Sequence, residues 1–326
     1  MKKTIKFLKD RAIFIVLALL VILMSILTDR FLTVDNLFSI ARQVSMLGIA
    51  AIGMTFVILL GGIDLSIGSI ITFANIVGAY FMAVRGMNMY LTIFLMLLFS
   101  TLIGLVNGFI IAEFNMPALI VTFATQIIFE GLAYMISGGM SMSGFPKAFS
   151  FIGQGYLWVI PIPVILMCIC FAVGAVILNR SYFGRYFYAL GGNEEASLLS
   201  GISVHSIKCL VYALSGFFAG IAAVVFLSRT NSGQPNVGKG YEFNVITAVV
   251  LGGVSVNGGF GRISNVVAGV LIIGILSNGM VLLDISAYMQ MVVKGIILLL
   301  AVGFDCVQKN GFGNSSIFAN KKLRRS

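Results

Sequence analysis

Charge is what this sequence has least of. Only 10% of its 326 residues are Asp, Glu, Lys or Arg, whereas soluble domains carry about 25%. A chain so poor in charge cannot cover its own surface with polar groups in water. Soluble enzymes and nucleic-acid binders are therefore excluded. Groups that hold metals or act as nucleophiles are scarce as well. The one histidine, His205, has no Cys or carboxylate at metal-ligand spacing, and the four cysteines, Cys168, Cys170, Cys209 and Cys306, read as packing thiols. No G-x-x-x-x-G-K-[ST] phosphate loop is present, so any nucleotide hydrolysis belongs to another chain. No metal and no resident cofactor is expected here.

What the chain has is apolar length. Hydrophobic residues make up 59% and the mean hydropathy is +1.06, with 27 Phe, 16 Met and 37 Gly. A spanning helix needs roughly 20 apolar residues. Ten runs qualify by position: 12–28, 44–60, 67–84, 90–112, 118–136, 157–178, 208–228, 244–256, 264–283 and 287–304. The expected class is an all-α polytopic membrane protein of about ten helices. The GGIDLS break after residue 60 and the short eighth run leave room for one broken or re-entrant segment. The first run follows Lys2, Lys3, Lys6, Lys9 and Arg11 like a secretory signal, but it lacks a small-residue cleavage site and precedes further spans, so it reads as a retained helix.

Basic residues set orientation. With both termini in the cytoplasm, fourteen of the 21 Lys and Arg fall inside, and only Arg30, Arg42, Arg85, Lys147, Arg229 and Lys239 fall outside. The net charge of +10 thus orients the protein and does not call for a nucleic-acid partner. This divides the chain into a cytoplasmic basic segment 1–11, a membrane domain 12–306 containing a polar cytoplasmic loop 179–207, and a basic tail 307–326. The expected location is the inner membrane, in contact with lipid. Tyr156 and Trp158, near the outer end of the sixth run, read as interface anchors.

Polar residues inside apolar runs are costly in lipid and usually face a bundle interior or a cavity. Thr122, Gln126 and Glu130 recur every fourth residue, with Thr125 beside them, and form one helical face. Ser66, Ser69, Thr72 and Asn75 recur every third residue after Asp64, and Asn278 follows Gly274 by four. Asp64, Ser66, Ser69, Asn75, Thr122, Gln126, Glu130 and Asn278 are the expected substrate path, with polar glue between helices as the competing reading. Lys294 sits within the last run and reads as half of a structural ion pair with Glu130 or Asp64.

Two further segments stand out. VILLGGIDLSIGS at 57–69 and AVVLGGVSVNGGFG at 248–261 both end an apolar run in Leu-Gly-Gly before a polar turn, a pattern that marks midplane sites and hinges in transporters. In GRYFYALGGNEEASLLSGI at 184–202, Asn193 suits a helix cap, Glu194 and Glu195 suit its first turn, and Gly201 suits its end. On that helix Ala196, Leu199 and Ile202 fall on roughly one face. A helix so short does not hold alone, and its apolar face fits either a partner's groove or the lipid headgroups.

These residues carry a resemblance. Glu195-Ala196-Ser197 followed by Gly201 resembles the EAA-x-x-x-G loop of ABC importer permeases. The stretches at 184–202, 61–69 and 248–259, with SNGM at 277–280, resemble the ribose/xylose/galactose permease family, from about Asn36 to Asp305. The chain departs from the family pattern at Ser264-Asn265, at Val266-Val267 and at Phe243-Asn244. The resemblance implies the permease subunit of an importer for a monosaccharide, itself not an enzyme. It implies an ATPase subunit with two nucleotide-binding domains that holds ATP and Mg, an extracytoplasmic sugar-binding protein, and a second permease chain. It assigns Gly191, Gly192, Asn193, Glu194, Glu195, Ala196, Leu199 and Gly201 to coupling with the ATPase. Permeases for an autoinducer, inositol or branched-chain amino acids remain alternatives, as does an ion-driven secondary transporter.

Overall fold

The computed structural model describes residues 2–310, with side chains described for 13–307. The basic residues of segment 1–11, and the tail 307–326 from residue 308 on, lie outside the described side chains. The elements are, in order, α1 (Lys2–Leu27), α2 (Val34–Leu59), α3 (Ile67–Ala79, continued by a π-helical turn Tyr80–Val84), α4 (Met89–Glu113), α5 (Ala118–Ser137), α6 (Lys147–Gln154), β1 (Tyr156–Leu157), β2 (Ile160–Pro161), α7 (Ile162–Arg180), α8 (Tyr182–Gly192), α9 (Glu194–Leu199), α10 (Val204–Thr230), α11 (Tyr241–Leu251), α12 (Ile263–Leu282) and α13 (Ala287–Asn310). Eight helices among the described residues are long and apolar enough to cross a membrane, and Ile13–Leu27 and α11 are shorter apolar helices. The chain is an all-α multi-pass membrane protein.

A helix apolar all round is stable when other protein surrounds it. Residues 44–59 of α2 are all buried, as is α3 except for Phe73, and α2 and α3 form the centre of the bundle together with α10. Around them α4, α5, α7 and α13 turn Leu, Ile, Val and Phe outward, which suits a hydrocarbon solvent. No residue from Ala287 to Val307 is buried.

The tightest packing joins α4 to α10. Gly104 and Gly108 of α4 face the α10 backbone at Tyr212 and Cys209, while Gly216 and Gly220 of α10 face Ser100 of α4. A Cβ at Gly108 would come within 2.7 Å of the Cys209 Cα. Paired small-x-x-x-small stripes let two backbones approach where lipid offers no hydrophobic drive for helix association.

Two expectations need correction, and the eighth run, left open as broken or re-entrant, is decided. Arg42 lies inside α2, which begins at Val34, and its guanidinium stacks 4.7 Å from the Tyr156 ring centroid. The sixth span starts at Ile162, because residues 156–161 form a two-stranded hairpin with Trp158 97% exposed near its tip. The eighth run is the eleven-residue α11, too short to cross. It is preceded by an irregular stretch through residues 231–240 that runs along α3: Gln234 N donates to Asn75 Oδ1 (3.0 Å) and Gly238 N to Thr72 Oγ1 (2.9 Å). Irregular backbone is tolerated at membrane depth where protein covers it, and here the α3 side chains satisfy it.

Contacts sort the loops into two ends. At one end, Met142 pairs with Gly233, and Gly153 N donates to Ser228 Oγ beside Arg229. At the other, His205 Nδ1 stands 3.3 Å from Glu113 Oε2, and Asp305 Oδ2 accepts from Ser255 Oγ (3.0 Å) and Val256 N (3.1 Å).

Candidate functional site

The break between α2 and α3 is built around one carboxylate. Asp64 is fully buried, and bare burial of a charge costs several kcal/mol. Its Oδ1 accepts from Ser66 N (3.0 Å) and Ser66 Oγ (2.5 Å), and its Oδ2 accepts from Ser215 Oγ of α10 (2.7 Å). The network extends into α4 and α5: Asn107 Nδ2 donates to Ser66 Oγ (2.9 Å), and Thr125 Oγ1 donates to Asn107 Oδ1 (2.6 Å). Thr122 Oγ1 accepts from Leu65 N (3.1 Å) and also lies 3.2 Å from Ile63 O and 2.8 Å from Ala118 O. Residues 61–66 are thereby tied to three helices.

The same segment meets two others through glycine. Gly259 N donates to Leu59 O at 2.9 Å, and Gly191, in the last turn of α8, packs against both. Gly258 packs against Gly61 and Gly191. The two Leu-Gly-Gly segments therefore touch each other, and they touch at the loop that carries α9. Their contact is made by Gly61 with Asn257-Gly258 and by Leu59 with Gly259. Gly252 instead packs on Val266, and Gly253 meets open space.

From this junction α8 leads into α9. Asn193 Oδ1 caps α9 by accepting from Ala196 N (2.9 Å), Glu194 and Glu195 occupy its first turn, and Gly201 (φ +82) follows its end. The glycine is required there because only it enters the left-handed region without strain. Lys208 Nζ, on α10, reaches Glu194 Oε1 at 2.6 Å. Leu198 and Leu199 are 61% and 89% exposed, and Ala196 is exposed beside them. Ile202 does not join that face. The chain has left the helix by Gly201, and Ile202 turns onto the core.

Of the expected substrate path, the structure gathers Asp64, Ser66 and Thr122 into one closed network. Ser69 Oγ donates to Ser66 O (2.8 Å), and Asn75 supports the irregular stretch before α11. Asn278 stands apart: it exchanges hydrogen bonds with Asn36 (3.1 and 2.8 Å) and clamps α12 to α2. Gln126 and Glu130 are the half-buried members. Gln126 Nε2 lies 3.3 Å from Glu130 Oε1 and 3.1 Å from Oε1 of Glu242, in the first turn of α11. Lys294 forms no ion pair among the described residues. Asp64 is satisfied by serines and Glu130 by Gln126, and α13 lies on the outside of the bundle.

Sequence reasoning missed Asn107, Ser215, Tyr212 and Glu242. Gly104-x-x-x-Gly108 and Gly216-x-x-x-Gly220 were the available signal for the first three, because such stripes bring α4 and α10 close together, with Asn107 between the first pair and Tyr212 and Ser215 just before the second. Glu242 was a carboxylate at the edge of an apolar run and deserved the functional reading given to Glu130.

A family model described as branched-chain amino acid transport system, permease component, matches residues 36–302. The chain belongs to this family. Among its relatives, the ribose import permease protein RbsC of Haemophilus influenzae is 42% identical over 304 residues, covering 92% of this chain and 94% of its own. RbsC of Bacillus subtilis is 43% identical, covering 90% and 91%. The L-arabinose transport system permease protein AraH of Escherichia coli is 42% identical, covering 89% and 88%. No solved structure gives a significant match. This family membership makes the chain a transport permease.

Proposed function

We propose that this permease is the membrane subunit of an ATP-binding cassette importer for a monosaccharide of the ribose or arabinose kind. The observation that carries the reading is α9, a capped six-residue helix whose two leucines face outward from an otherwise polar loop. It follows directly on Gly191 and Gly192 of α8, which pack where both Leu-Gly-Gly segments meet. A docked ATPase subunit with two nucleotide-binding domains, holding ATP and Mg, covers those leucines, and its closure is passed to residues 61–66 and 252–262 through Gly191 and Lys208. This chain holds no cofactor. An extracytoplasmic binding protein delivers the sugar, and a second permease chain covers the outward apolar faces. The protein resides in the inner membrane with both termini and α9 in the cytoplasm, in keeping with the distribution of basic residues.

Within the path, Gln126, Glu130 and Glu242 are the groups we assign to sugar hydroxyls, because Gln126 and Glu130 are only half-buried on α5 and Gln126 joins them to the buried Glu242 of α11. Asp64, Ser66, Thr122 and Asn278 are assigned to holding the bundle. The test is co-purification followed by uptake. Leu199→Asp leaves the melting midpoint of the purified chain unchanged, because the side chain touches little, but it abolishes capture of the ATPase and ATP-driven ribose uptake in proteoliposomes. Ribose uptake driven by an ion gradient, in vesicles holding this chain alone, would refute the proposal.

A further inference from the structure

Tyr212 is buried on α10, and its hydroxyl has no hydrogen-bond partner among the described residues. Phenylalanine would fill the same space without leaving a polar group unpaired, and an unpaired buried group calls for an explanation. The surroundings supply one. The hydroxyl rests on Gly62, two residues before Asp64, where a Cβ would stand 2.5 Å from it. A carboxylate offers about four acceptor positions. Ser66 and Ser215 fill three of those on Asp64, which leaves room for one more donor.

Lys208, Tyr212 and Ser215 share one face of α10. In that order they reach Glu194 of α9, Gly62, and Asp64. Tyr212 lies one turn nearer to α9 than Ser215, a rise of about 4.5 Å, and its side chain is the longer of the two. A thrust on α9 that carries α10 away from that end parts Ser215 from Asp64 and brings Tyr212 toward it.

We propose that Tyr212 is a positioning residue for transport: its hydroxyl, idle in this state, takes over from Ser215 as the α10 donor to Asp64 when α9 is driven by its partner. The exchange keeps the buried carboxylate satisfied in both states, so the turn 61–66 can follow α10 without a charge being stranded in the membrane. The inference rests on the importer reading for the source of the thrust, but the exchange of donors is a property of this chain alone.

Two measurements test it. In a double-mutant cycle on the purified full-length chain, Tyr212→Phe leaves the melting midpoint unchanged or raises it. Ser215→Ala lowers it modestly, because Tyr212 substitutes as donor, and the double variant falls well below the sum of the two. Additive effects would overturn the exchange. In proteoliposomes holding the permease with its ATPase, fed by ribose-loaded binding protein, Tyr212→Phe lowers the maximal uptake rate about tenfold, equivalent to about 1.4 kcal/mol, with half-saturation unchanged. Wild-type uptake by Tyr212→Phe would overturn the role in transport, as would a loss of uptake that merely follows a lowered melting midpoint. If the wild-type complex takes up no ribose, the importer reading falls, and the stability cycle still decides whether Tyr212 and Ser215 exchange.

Discussion

Gly191→Ala probes the junction directly, because its cost follows from backbone atoms that cannot rotate away. A Cβ at Gly191 would overlap the carbonyl oxygen of Leu59 and stand 2.5 Å from Gly259 N, the two groups that share a 2.9 Å hydrogen bond. Making room requires one of three tightly packed segments to move. Overpacking costs about 1–3 kcal/mol. Parting the bond between Leu59 and Gly259 removes about 1 kcal/mol and strands two backbone groups at a further cost of about 1–3 kcal/mol. Together these give a destabilisation of about 3–7 kcal/mol, read as a lowered melting midpoint of the detergent-purified chain. Gly192→Ala is the matched control, since a Cβ there meets nothing within 4 Å and should leave the midpoint in place. Equal midpoints for the two variants would refute the close-packed junction. In the assembled transporter, a Gly191→Ala protein that still folds should bind its ATPase but lose stimulation by the loaded binding protein.

Asp64→Ala removes the acceptor for three hydrogen bonds and should cost about 3–5 kcal/mol. Asp64→Asn should cost clearly less, because the Ser215 hydroxyl can turn and accept from the new amide, so equal melting of the two variants would contradict the network described. Lys294→Met should leave the melting midpoint of the isolated chain unchanged or raised, since no described carboxylate pairs with Lys294. A fall of several degrees would restore the ion pair expected from sequence.

What was legible in the sequence and what was not divides along a physical line. The spans were readable because a run of twenty apolar residues has few alternatives in water, and α9 was readable because Asn193, Glu194 and Gly201 act on backbone a few residues away. Local causes show in local sequence. The polar residues within spans were harder, because a period of three or four says that side chains share a face and leaves open what that face meets. Thr122, Gln126 and Glu130 share a face and have different roles. Thr122 accepts from the backbone of Leu65 across the α3 break, whereas Gln126 donates to Glu242 in the first turn of α11, 116 residues away along the chain, and Glu130 accepts from Gln126 on its own helix.

Satisfaction, not spacing, separates the roles. Asp64 reads like a substrate ligand in sequence, yet in the structure its carboxylate is held by two serines and has little left to offer a sugar. Tyr212 reads as one more aromatic in an apolar run, yet it is the buried group whose hydroxyl is left over. An unpaired buried polar atom needs an explanation, and for Tyr212 the proposed one is a second arrangement of the same helices that uses it. The groups whose bonds are incomplete in one state are therefore the ones to test for movement between states.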